Sequence, residues 1–145
     1  MPITLADITP VALCISTQEL FDTKRFQLNF CDNLLLRVKD EILEPTLTKI
    51  KRELNTKALE KKFLEGYKAV IISNIDKILG LVASRYAKID LKQTQSVVAE
   101  GKDLIERVSL AESFEEIGKL EPIFKSKITL PVYEMFLSYL KQTGV

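Results

Sequence analysis

The chain contains no histidine and no tryptophan. Without histidine it lacks the commonest general base, the commonest zinc ligand and the side chain that titrates near neutral pH. Di-metal sites of helical bundles, which pair Glu with Glu-x-x-His, are excluded on the same ground. Carboxylate pairs remain: Glu41 with Glu44 and Glu112 with Glu116 share helical faces. Solvated surface is the simpler reading of both. Cysteine is scarce too, with Cys14 and Cys31 as the two. Their separation fits neither a zinc pattern nor C-x-x-C. Buried free thiols are expected, with a disulfide between them as the alternative.

Five glycines and five prolines are few for this length. No stretch has linker composition, low complexity or an internal repeat, so residues 1–145 are expected to form one domain. Phosphate-cradling loops are missing as well. Gly101-Lys102 is a Gly-Lys pair, but Ser96 stands where a P-loop needs Gly and Asp103 where it needs Ser or Thr. It reads as a helix-face glycine beside a solvated lysine.

Charge of one sign is also missing: 21 basic residues face 20 acidic ones, for a net charge of +1. This balance gives no electrostatic reason to expect nucleic acid or an anionic membrane as the main partner. The most apolar stretch, residues 69–83, is broken by Asn74, Asp76 and Lys77 and is shorter than a membrane span. The first residues lack a basic segment followed by an apolar run, so no signal peptide is read there. A cytoplasmic protein without a membrane partner is expected.

What the chain does have is 21 Leu, 14 Ile, 16 Lys and 13 Glu. The Ile, Lys and Glu enrichment leans toward a heat-adapted composition. The apolar residues recur at helical spacing. Leu64, Tyr67, Ile71, Ile75, Ile78, Val82, Tyr86 and Ile89 step by three or four and line one side of a helix. Val70, Ile72, Leu79, Leu81 and Ala83 widen that side almost all round. This predicts one long, strongly apolar central helix, which other helices or another chain must cover.

Further helices flank it. Thr9-Pro10 predicts a helix near 9–21, with Thr9 as N-cap and an extended arm over residues 1–8. Leu28, Cys31, Leu35, Val38 and Ile42 predict another, ended by Pro45. Leu43, Leu47, Ile50 and Leu54 form a third stripe on a different face, with a turn expected at Asn55. Asp90 is expected to cap a helix over 91–110 that turns Leu91, Val98, Ile105 and Val108 inward. Ser113-Phe-Glu-Glu116 is a capping box. Thr129-Leu-Pro131 is expected to start the last helix. The fold class predicted is all-α, a bundle of five to seven helices.

No motif carries catalysis, cofactor binding or metal binding, and none of these is expected. The leading expectation is a non-catalytic interaction or assembly protein, a homo-oligomer or the partner of another protein. Its candidate interface is Tyr67, Ile71, Ile75, Ile78 and Val82 on the central helix, with Tyr133, Phe136, Leu137, Tyr139 and Leu140 on the last. The last helix carries more apolar surface than one face can bury. The alternative is a nucleic-acid-associated module. Residues 37–68 hold a net charge of +3, and 100–121 a net charge of −4. Lys49, Lys51, Arg52, Lys57, Lys61 and Lys62 are the candidate phosphate contacts. They lack the interleaved aromatics of a single-strand binder.

Overall fold

Every regular element in the described part of the chain is helical. The structure, a computed structural model, describes residues 4–23 and 56–142, with side chains described for 4–23 and 61–142. The helices are α1 (Leu5–Leu20), α2 (Thr56–Tyr86), α3 (Leu91–Leu110), the short α4 (Phe114–Gly118) and α5 (Glu121–Phe124), and α6 (Leu130–Gln142). A π-helical segment, Lys125–Thr129, joins α5 to α6. The expected count of five to seven is not matched: among the described residues four helices are longer than one or two turns. The helices predicted between 26 and 54, and the turn at Asn55, lie outside the described residues.

The α2–α3 pair is the frame. A connection of four residues, 87–90, reverses the chain. Asp90 caps α3 as expected, its carboxylate accepting from the Gln93 N–H at 2.9 Å. The two helices pack antiparallel, so the early part of α2 lies beside the end of α3. There the Lys68 ammonium donates to the Ala111 carbonyl at 2.8 Å. That is a favourable place for a cation, because the last carbonyls of a helix lack partners within it and carry partial negative charge.

Helix α1 runs antiparallel to α2. The Tyr67 hydroxyl donates to the Leu20 carbonyl near one end, and Arg85 meets Asp7 near the other. Helix α6 runs antiparallel to α1: Tyr139 reaches Asp7, while Leu130 and Ile15 line one groove. The core lies between these four helices. Ile71, Ile75, Ile78, Val82, Leu104, Val108, Phe124, Ile128 and Val132 are fully enclosed. Phe21 stacks on Phe124 with ring centroids 5.0 Å apart.

Three expectations need correction. The first helix begins at Leu5, not Thr9, so residues 5–8 are helical and no extended arm covers them. Thr4 is the N-cap, and Asp7 closes a capping box by accepting the Thr4 N–H at 3.0 Å. Thr9 instead donates its hydroxyl to the Leu5 carbonyl one turn back, and Pro10 sits inside the helix. Second, α2 is long at 31 residues but not apolar all round. Val70 is 52% exposed, and Glu65, Ser73, Asp76, Lys77 and Ser84 also face outward. No helix of the described residues is long and apolar enough to cross a membrane.

Third, α3 turns Val108 fully inward and packs Val98 and Ile105 half-buried against the core, as expected, but not Leu91. Its buried face is Thr94, Val97, Gly101, Leu104 and Val108, while Leu91 is exposed. Gly101 belongs to the buried face. A residue without a side chain lets α2 approach closely, and Leu79 fills that space. The last α-helix does start where Thr129-Leu-Pro131 is expected to open it, at Leu130. The backbone is already helical through Phe124, Lys125 and Leu130, so Pro131 follows a helical run. Ser113 does cap α4, its hydroxyl accepting the Glu116 N–H at 3.2 Å. The Glu116 carboxylate in turn accepts the Glu112 backbone N–H, so the Glu116 side chain is committed to a helix start.

Candidate functional site: a buried clasp and an open helix face

One polar network joins three helices. The Asp7 carboxylate accepts from Arg85 Nη1 at 2.9 Å and from the Tyr139 hydroxyl at 2.9 Å, both on Oδ1. Its Oδ2 accepts from the Thr4 N–H at 3.0 Å and the Thr4 hydroxyl at 3.1 Å. Asp7 is nearly enclosed, and its capping position on α1 holds it at the ends of α2 and α6. The Thr4 N–H bond, the Tyr139 and Thr4 hydroxyls and the Arg85 charge hold its carboxyl below the usual range, against the opposing effect of burial. The bond to Asp7 pushes the Tyr139 phenol up, with burial adding to it.

Behind this network lie Tyr86 and Cys14, both fully enclosed. The Tyr86 ring meets Tyr139 edge to face, with centroids 6.0 Å apart. Burial pushes the Tyr86 phenol up to about 12 and the Cys14 thiol up to about 12. A thiol so placed stays protonated at neutral pH and is a poor nucleophile. Cys14 is free rather than disulfide-bonded, whereas Cys31 lies outside the described residues. The cluster therefore holds a structural anion, with no activated nucleophile beside it. Among the described residues no group of three or more His, Cys, Asp or Glu is placed to hold a metal.

The candidate interface residues divide sharply. Tyr67, Ile71, Ile75, Ile78 and Val82 are buried within the chain, each 9% exposed or less. They pack against α1, α3 and α6 and are withdrawn from any partner. This corrects their assignment to an interface: periodicity identifies the buried face and does not say what buries it. The last helix behaves differently. Tyr133 is 47% exposed and Leu137 40%, and Leu130, one turn earlier, is 46% exposed. Spaced i, i+3 and i+7, these three form one outward stripe. Phe136, Tyr139 and Leu140 are half-buried at its edge, and Val132 and Met135 close the inner face.

Helix α1 extends this apolar surface. Leu5, Ile8, Ala12 and Ile15 repeat at i, i+3, i+7 and i+10 and all face outward. Ile8 and Ile15 lie on the flank of α1 nearest α6, since Ile15 shares a groove with Leu130. Of the candidate phosphate contacts, Lys61 and Lys62 are exposed. Lys57 lies on α2 without a described side chain, and Lys49, Lys51 and Arg52 lie outside the described residues. Lys68, on the same basic stretch, is buried and committed to Ala111.

Asp7, Arg85 and Lys68 were missed by sequence reasoning. The Thr4-x-x-Asp7 spacing was the signal for Asp7. No protein-family model, curated protein or solved structure matches this chain.

Proposed function

We propose that this chain is a non-catalytic interaction protein, acting as one helical domain, that assembles with itself through the outer face of α6 and the adjoining flank of α1. The observation that carries the reading is the stripe Leu130, Tyr133 and Leu137, three large apolar side chains left 40–47% exposed on one helix. Single exposed apolar residues are ordinary, but a contiguous set on one face costs solvation free energy that a partner recovers. Tyr133 adds a feature enriched at interfaces, an aromatic body with a polar tip. The free Cys14 and the committed Asp7 add no chemistry that would favour an enzyme.

Native mass tests this directly, by size-exclusion chromatography with light scattering at about 0.15 M salt. The expected result is a species larger than 16.5 kDa. Combining Tyr133→Glu with Leu137→Glu returns the monomer, because two charges would be buried unpaired at the contact. Val70→Glu, on the outer side of α2, leaves the mass unchanged. A wild-type protein that stays monomeric across the accessible concentration range overturns self-association.

A further inference from the structure

Where the stripe on α6 ends, α1 and the π-helical segment part. They leave a groove of about 450 Å³. Its apolar walls are Ile15 and Leu130, 51% and 46% exposed. Glu19, Asp22 and Glu121 stand along it, with Lys125 the one cation among the described lining residues. A second hollow of about 520 Å³ shares Asp22 and Glu121 and runs on past Gly118, with Glu115 and Lys119 at its side. Lys119 is already paired with Glu115 at 3.9 Å. Among the described residues, Glu19, Asp22 and Glu121 have no ion pair.

Three unpaired carboxylates beside an apolar trough repel one another and attract cations. The walls are themselves helices, and the groove between two packed helices is where a third seats its apolar ridge.

We infer that this groove takes a basic amphipathic helix from a partner protein, its apolar stripe on Ile15 and Leu130 and its Lys or Arg side chains on Glu19, Asp22 and Glu121. The inference rests on reading the chain as an interaction protein; the groove borders the self-association face and shares Ile15 and Leu130 with it, but its partner is a different one. A second copy seated symmetrically here would bring its own net negative groove against this one. A basic partner meets no such repulsion.

The probe is a labelled 14-residue peptide of Leu and Lys, with Leu at i, i+3, i+4 and i+7 spacing, followed by fluorescence anisotropy with the full chain at about 0.15 M salt. One control peptide has the same composition scrambled so that no stripe forms. Another keeps the stripe and carries Glu in place of Lys. The striped Lys peptide binds, and both controls bind at least about tenfold more weakly. Glu19→Lys combined with Asp22→Lys weakens binding by about tenfold. Asp76→Lys combined with Glu106→Lys makes the same change of net charge elsewhere and leaves binding intact.

A benzophenone on the Leu face of the peptide cross-links to residues 15–22 and 121–130 of the unaltered protein, a readout that needs no variant to fold. Equal binding by the scrambled peptide overturns the inference, as does equal weakening by the distant charge pair or cross-links elsewhere. Native mass is recorded on the same samples. Loss of oligomerisation in Tyr133→Glu with Leu137→Glu, with peptide binding retained, separates the two interactions. A monomer that still binds the striped peptide removes self-association and leaves the groove standing.

Discussion

Gly101 lies against the side chain of Leu79. A Cβ built on the glycine would come within 2.4 Å of Leu79 Cδ2 and 2.9 Å of its Cγ. Leu79 is buried, so its whole side chain would have to turn. Overpacking of this kind costs about 1–3 kcal/mol, and the better helix propensity of alanine returns up to about 1 kcal/mol. Gly101→Ala is therefore expected to lower the melting temperature. Leu79→Ala alone should cost about 2–4 kcal/mol through the cavity it leaves. The double variant should be less destabilised than the sum, since the new methyl group occupies part of that cavity. Chemical denaturation of the four proteins checks this, and strict additivity would show that the two residues do not meet.

The Asp7 clasp predicts an acid limb. Its folded carboxyl sits below the usual value near 3.9, so its contribution to stability is fully present above that value. It is lost as pH falls through the lower folded value. Asp7→Asn should lower the melting temperature at pH 7, because the charge on Arg85 and the Tyr139 hydroxyl lose their partner. The gap between wild type and variant should then close as pH drops from about 4 toward 2. Circular-dichroism melts across that range test it. A gap that is unchanged at low pH would mean that Asp7 acts through packing and not through its charge.

Two tyrosines in contact should respond in opposite directions to the same change. The Tyr86 hydroxyl is buried without a hydrogen-bond partner among the described residues, whereas the Tyr139 hydroxyl donates to Asp7. Removing an unsatisfied buried hydroxyl recovers its desolvation cost, of order 1 kcal/mol. Tyr86→Phe is expected to raise the midpoint of urea unfolding and Tyr139→Phe to lower it. A loss of stability in Tyr86→Phe would mean that a partner, such as a bound water, satisfies that hydroxyl.

The parts of this fold that could be read from sequence are those governed by local spacing. The buried stripe of α2 follows from steps of three and four, and all its members from Leu64 to Tyr86 are enclosed. Asp90 and Ser113 cap the helices they precede, because a short polar side chain satisfies the first free N–H groups whatever lies elsewhere. What escaped depends on distant partners. The burial of Gly101 depends on its meeting Leu79 of α2, and in isolation Thr94 and Gly101 look like surface. The clasp joins residues 78 and 132 positions apart, which no periodicity encodes. The interface assignment failed on α2 for the same reason. Apolar spacing marks a face to be covered, and whether the cover comes from the same chain is decided by the packing of all the helices.

The π-helical segment between α5 and α6 has a consequence for how the last helix is aimed. Phe124 and Val132 are both fully enclosed although eight positions apart, where two turns of α-helix take about seven residues. The wider turn at Lys125–Thr129 takes up the extra residue between them. The chain here carries one residue more than a straight α-helix needs. That slack keeps Tyr139 turned toward Asp7 and leaves Tyr133 and Leu137 to the outside.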